Sequence, residues 1–189
     1  MKFVISIIFL IISECAMGQT SDTKTMALPD GSSITNSIGS LPPFEQKFRV
    51  LTRQEITRIN ELAKKGDVFV KFYFPTISRP DLKDFDRAFR AWQTSTGKKL
   101  SNQEVIQIIG SYLGNELVSK LNMEWVEVTD KYGTDYSIRG KNADVEITSF
   151  PYSTVSKRIE HHQYDFIYNT FHTIAQMKKD GGISSGNND

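Results

Sequence analysis

SNQEVIQIIGSYLGNELVSKLNMEWVEVT, residues 101–129, changes its hydrophobic period partway along, and that change decides the fold class. Ser101-Asn102-Gln103-Glu104 is a capping box, in which a hydroxyl and a carboxylate each satisfy a backbone N–H of the first turn. It predicts a helix over about 102–121. Val105, Ile109, Tyr112, Leu113, Leu117 and Leu121 form its stripe, and Ile106, Ile108 and Val118 widen it. A helix this apolar belongs at the centre of a folded unit. Gly110 and Gly114, four apart on it, would let another element approach closely. From Met123 the period becomes two. Met123 and Trp125 then occupy one face of a strand and Val126 and Val128 the other, so the strand is expected to be covered on both sides.

Working outward, Met123 to Thr129, Asp135 to Arg139 and Val145 to Phe150 read as three short strands joined by turns, an antiparallel meander. After Pro151, Ser153 is placed to cap a short helix through Glu160, and a last helix from Asp165 carries Ile167, Phe171 and Ile174. Upstream, Asp81 caps a helix with Leu82, Phe85, Ala88, Phe89 and Trp92 on one face. Further upstream, Thr52-Arg53-Gln54-Glu55 is another capping box, with Leu51 and Ile56 as its hydrophobic staple. Ile56, Ile59, Leu62 and Ala63 give a helical stripe, and Gly66 is a natural stop. Val68 to Phe74 favours a strand by its β-branched and aromatic content, although so short an apolar run does not exclude a helix. Pro75 and Pro80 bracket a turn. The expected architecture is α+β: a helical N-terminal half, a three-stranded antiparallel meander and a helical C-terminal return.

The ends read differently. Lys2 followed by the apolar run Phe3–Ile12 has the form of a secretory signal, too short for a membrane span, which needs about 20 residues. Ala16-Met17-Gly18 offers small residues where a signal peptidase reads, so residues 1–18 are expected to be removed before Gln19. Cleavage there would discard Cys15, the one cysteine, and leave no thiol for a disulfide, a zinc site or a nucleophile. Glu14 disfavours the alternative, lipidation of Cys15. Residues 19–43, rich in Ser, Thr, Gly, Pro and Asn, read as a flexible linker, and 178–189 as a polar tail. One domain, about 44–177, lies between. The chain has 189 residues, 39% hydrophobic and 24% charged, with 23 Lys+Arg against 22 Asp+Glu. Those fractions are those of a globular protein. The even charge balance argues against a nucleic-acid partner and against a polybasic membrane-surface protein.

The groups that could carry chemistry crowd into 130–165. Asp130-Lys131-Tyr132-Gly133 suits a tight turn with Asp at its first position and Gly at its fourth. Asp130 and Asp135 could present paired carboxylates for acid–base work or a cation. Asp135 and Arg139 share one strand parity. With Lys157, Arg158 and Glu160 of the following helix, and Tyr132 at the turn, they could form a binding patch. His161, His162, Asp165 and His172 make a superficial metal set without the usual zinc spacing. Ser153 or Ser156 could in form partner a histidine, but no Gly-x-Ser-x-Gly elbow is present. Walker loops, dinucleotide fingerprints and CxxC pairs are absent from the sequence. Trp92, Trp125, Phe85, Phe89 and Phe171 read as core.

Tyr112-Leu113-Gly114-Asn115-Glu116, then Trp125-Val126, then Asp130 to Asp135, then Phe150 to Glu160, together with the preceding Phe85, Ala88, Phe89 and Trp92, resemble in their order a bacterial family, domain of unknown function 3806, over about residues 82–177. The resemblance implies domain identity. It implies no activity, cofactor or catalytic residue. The expectation is therefore an exported, periplasmic or secreted binding or interaction module with a protein or small-ligand partner, no cofactor, no metal and no catalytic residue. Two alternatives stand beside it: a small exported hydrolase using Asp130 or Asp135 with a histidine, and a protein that neutralises a toxin.

Overall fold

The computed structural model describes residues 23–27, 33–37, 46–142 and 145–179. The expected signal at 1–18, with Cys15, and the tail beyond Lys179 lie outside the described residues. Within the segment read as a linker, β1 (Thr23–Ala27) and β2 (Ser33–Ser37) pair as an antiparallel ribbon. The main body runs β3 (Lys47–Val50), α1 (Arg53–Tyr73), α2 (Leu82–Thr94), α3 (Asn102–Leu121), β4 (Glu124–Asp130), β5 (Gly133–Asn142), β6 (Val145–Ser149), α4 (Pro151–Glu160) and α5 (Ile167–Lys179). It is α+β, as the change of period at Met123 requires.

Three helices start where their caps place them. Thr52, Asp81 and Ser101 each accept from the backbone of the first turn, and Glu55, Asp84 and Glu104 reach back to complete the box. Asn122, left-handed at φ 50°, ends α3. That helix is central. It touches α1, α4, α5, β4 and β5, and Ile109, Leu113 and Leu117 are fully buried on it. Phe85, Phe89 and Trp92 of α2, Ile138 and Ile147 of the sheet, and Ile167 and Ile174 of α5 complete the core.

The sheet corrects one expectation. It has four strands, in the order β3-β4-β5-β6, all antiparallel. The meander of three is as read, but Lys47–Val50 adds an edge strand, with Arg49 opposite Glu127 and Val50 opposite Val126. A four-residue edge strand with two cations has too little alternation to be legible in sequence. Trp125 on one face of β4 and Val126 and Val128 on the other are all buried, so the strand is covered on both sides.

A second correction concerns 68–74. Val68 to Tyr73 is the last part of α1, not a strand, and Gly66 does not end the helix. Ile59, Ala63, Gly66 and Val70 keep the helical stripe buried, and Phe69 joins it. Gly66 is there for contact: a Cβ would lie 2.7 Å from the ring of Phe85. Packing against α2 outweighs the strand propensity of the side chains. The helix ends at Phe74, whose N–H reaches Val70 O at 2.9 Å. A third correction concerns α4, which begins at Pro151 after Phe150 and has no side-chain cap. Proline at the first helical position has no N–H to satisfy, and Ser153 is released for another partner.

Candidate functional site

Of the residues singled out between 130 and 160, Asp130, Asp135, Arg139 and Arg158 each engage a different neighbour. Asp130 Oδ1 accepts from Tyr132 N at 2.8 Å, which shapes the β4–β5 turn, and Gly133 takes φ 133°. Tyr132 projects from that turn, 79% exposed, with Lys131 Nζ 4.9 Å from its ring. Asp135 Oδ2 accepts from Ser153 Oγ at 2.8 Å and so ties β5 to the first turn of α4. Arg139 makes a two-pronged pair with Glu146 across β5 and β6, at 2.5 and 2.6 Å, and lies 4.2 Å from the ring of Phe48. Arg158 bonds Gln163, and burial pulls its guanidinium below the usual range. Lys157 and Glu160 are exposed on α4.

The histidines are likewise separate. His162 Nδ1 lies 3.4 Å from Gln93 Nε2, while His172 packs beside Tyr168 and Phe171 on α5. Among the described residues, no three His, Cys, Asp or Glu side chains are grouped to hold a metal ion.

What the structure does gather lies over α3. Gly110 and Gly114 make a shelf on which Tyr152 and Trp125 rest, their rings 5.6 Å apart. A Cβ at Gly114 would stand 2.0 Å from the indole, and one at Gly110 would stand 2.5 Å from the phenol ring. The close approach expected from the glycine spacing is made by these two aromatics. Each polar end is then satisfied. Trp125 Nε1 donates to Asn115 Oδ1 at 3.0 Å, and Asn115 Nδ2 donates to Asn60 Oδ1 at 2.9 Å. Tyr152 OH and Ser111 Oγ share a hydrogen bond of 2.9 Å, and burial raises the phenol's pKa. A buried indole N–H needs such a partner.

The Asn60–Asn115 bond floors an open groove of about 550 Å³ between α1 and α3, lined by Ala63, Lys64, Asp67, Tyr112 and Glu116 as well. Tyr112 stacks on Phe85 at 3.6 Å, and burial raises its pKa. Glu116 Oε2 is buried 2.5 Å from Lys120 Nζ, but outside hydrogen-bond geometry. Each wall of the groove carries polar side chains, and it holds no nucleophile beside a base.

Two further clusters were not read from the sequence. Arg49 grips Glu55 and Glu127 with two bonds each, at 2.6 to 3.0 Å, and Glu55 also accepts from Tyr136 OH at 2.8 Å. Arg49, then Thr52 and Tyr136, hold the Glu55 carboxyl well below the usual carboxylate range. This network clamps the edge strand and α1 to the sheet. Its signal needed the strand register, which Lys47–Val50 does not announce. Asp86, by contrast, left a sign in the sequence: an acid on the apolar face of α2. It is buried, and its oxygens accept from Ile167 N at 2.8 Å and Tyr168 N at 3.0 Å, which caps α5 from another helix. Burial raises its pKa despite these bonds.

Residues 84–169 match the profile of a family described as Domain of unknown function (DUF3806). The matched span runs from the first turn of α2 to the first turn of α5. It contains the glycine shelf, the Trp125–Tyr152 pair and the β4–β6 meander, and it leaves out β3 and α1. No curated protein and no solved structure matches the chain.

Proposed function

We propose that this DUF3806-bearing chain is an exported, non-catalytic binding module, periplasmic or secreted, that meets its partner through the β4–β5 turn and the exposed side of α4. The observation that carries the reading is Tyr132, a large aromatic 79% exposed at a turn stiffened by the Asp130 side chain. An aromatic displayed on a rigid support loses little conformational freedom when a partner covers it, which is how interface anchors gain affinity. Lys157 and Glu160 on α4 supply a charged rim. The acids and bases nearby support the same reading, since Asp135 is used on Ser153 and Arg139 on Glu146. Export rests on Lys2, the Phe3–Ile12 run and Ala16-Met17-Gly18 in the sequence.

The test is cross-linking in cells that produce the natural chain or a Tyr132→Ser, Lys157→Glu variant, followed by fractionation and N-terminal sequencing. The expected result is a chain that starts at Gln19 outside the cytoplasm, with a cross-linked partner that the variant loses. Identical partners for both chains, an uncleaved cytoplasmic product, or ester or phosphate hydrolysis abolished by Asp135→Asn would each overturn the proposal.

A further inference from the structure

Four large hydrophobic side chains are exposed among the described residues, and two of them, Val68 (69%) and Phe72 (51%), stand one turn apart on α1. At about 3.6 residues per turn, Lys64, Lys65 and Lys71 share their outward arc. Across from them, the loop after α2 places Lys99 Nζ 4.6 Å from the centre of the Phe72 ring and Lys98 Nζ 4.4 Å from that of Trp92. The acids nearby are fewer. Glu61 lies up the same arc, Asp67 at its side, and Glu116 shares the groove with Lys64 but sits beside Lys120. Glu104 faces Lys65, but its carboxylate is bonded into the cap of α3. The result is a small apolar centre bordered by Lys64, Lys65, Lys71 and Lys99, with Lys98 next along the same loop. The near-neutral total charge of the chain conceals it, because totals say nothing about placement.

We propose that this face seats on an anionic lipid surface, with Val68 and Phe72 entering the headgroup boundary and the lysines lying along the lipid phosphates. The back of α1 that carries Val68 and Phe72 is convex, and neither side chain lines the α1–α3 groove that Lys64 borders. Around the two apolar side chains a polypeptide finds neither a groove nor a strand edge, the two supports on which peptide recognition is built. A membrane needs neither. It accepts a short apolar insertion, and each lysine near an anionic surface adds attraction that salt screens. Lysine stems also cover apolar surface while their charges stay in water, which suits the Lys99–Phe72 contact. The contact proposed is peripheral, and no helix among the described residues is long and apolar enough to cross a membrane.

The experiment is co-sedimentation of the full chain with vesicles of equal parts phosphatidylglycerol and phosphatidylcholine, or of phosphatidylcholine alone. The apolar run Phe3–Ile12 is common to every variant, so differences between variants report this face. The expected result is partitioning about tenfold stronger on the anionic vesicles, falling steeply with added salt. Val68→Ser with Phe72→Ser, and separately Lys71→Gln with Lys99→Gln, should each remove most of that preference without changing the melting temperature. Equal partitioning on both vesicles, or double variants that partition like the natural chain, would overturn the proposal. So would capture by soluble polyglutamate in place of vesicles, which would assign the face to an acidic polypeptide.

Discussion

Gly114 is where a single atom matters most. Alanine would normally favour a helix interior by about 1 kcal/mol over glycine. Here its Cβ would stand 2.0 Å from an indole that Asn115 holds in place, so the ring cannot simply rotate away. Gly114→Ala should therefore destabilise by the upper part of the ~1–3 kcal/mol seen for overpacked cores. Gly97→Ala, where nothing lies within 4 Å, should stay within about 0.5 kcal/mol. Urea titration of both variants measures the contrast. Asn115→Ala leaves the Trp125 N–H buried without its acceptor and should cost about 1–3 kcal/mol, with a shifted tryptophan emission as the second readout. The glycine spacing was legible from sequence as a site of close approach. Which side chains would fill it was not, because Trp125 and Tyr152 reach α3 only through the sheet and the start of α4.

At the scale of elements, what could be read depended on whether the signal was local. Capping boxes are local, and the starts of α1, α2 and α3 fall where Thr52, Asp81 and Ser101 put them. Helix α1 runs on past Gly66, against which Phe85 of another helix packs, and ends at Phe74, the residue before Pro75, so the strand-like composition of 68–74 alone pointed the wrong way. Ser153 misled for the opposite reason. It is a good capping residue, but Pro151 had already begun the helix, and the hydroxyl went to Asp135. The start of α5 depends on Asp86, and Asp86→Ala should leave two backbone N–H groups without partners, at about 1–3 kcal/mol each at most. Amide exchange at Ile167 and Tyr168 should accelerate more than elsewhere in α5.

Acid sensitivity belongs to the same scale. Glu55, Glu104 and Glu127 all have pKa values lowered below the ordinary 4.5 in the fold, the first and last by Arg49 and Glu104 by the Ser101 cap. The unfolded chain then binds protons first, so their stabilisation is present above about pH 4.5 and is lost as the pH falls below it. Asp86 acts in the reverse sense. Its raised pKa means that the fold gains relative stability as the pH drops through the interval above 3.8. Three groups oppose one, so the urea midpoint should fall between pH 5 and pH 3, and Glu55→Gln should flatten that fall. An equally steep acid limb in Glu55→Gln would show that the Arg49 clamp contributes nothing.

Across the whole molecule, α3 is the central element, touching α1, α4, α5, β4 and β5. Leu113 and Leu117 are fully buried on it, and either one changed to Ala should cost about 2–5 kcal/mol by chemical denaturation. A loss under 0.5 kcal/mol would place these side chains at the surface. The α+β class, the central helix and the meander were readable because one apolar stripe and one change of period fix them. The edge strand was not, because Lys47–Val50 has no buried face of its own to impose a pattern. The candidate binding residues were legible as residue types only. Asp135, Arg139 and Arg158 each turn to a different neighbour once the chain is folded, and that is decided by packing.

The acceptor that starts the last helix sits 81 positions before its donor. During synthesis Asp86 leaves the ribosome long before Ile167 exists. Through that interval its carboxylate remains hydrated, and the helix bearing it has no lid. The stretch from Phe166 onward, translated later, is thus the bolt that secures the body. Products broken off before Phe166 would carry an acid with no backbone N–H to accept from, and quality-control proteases should clear them ahead of the finished chain.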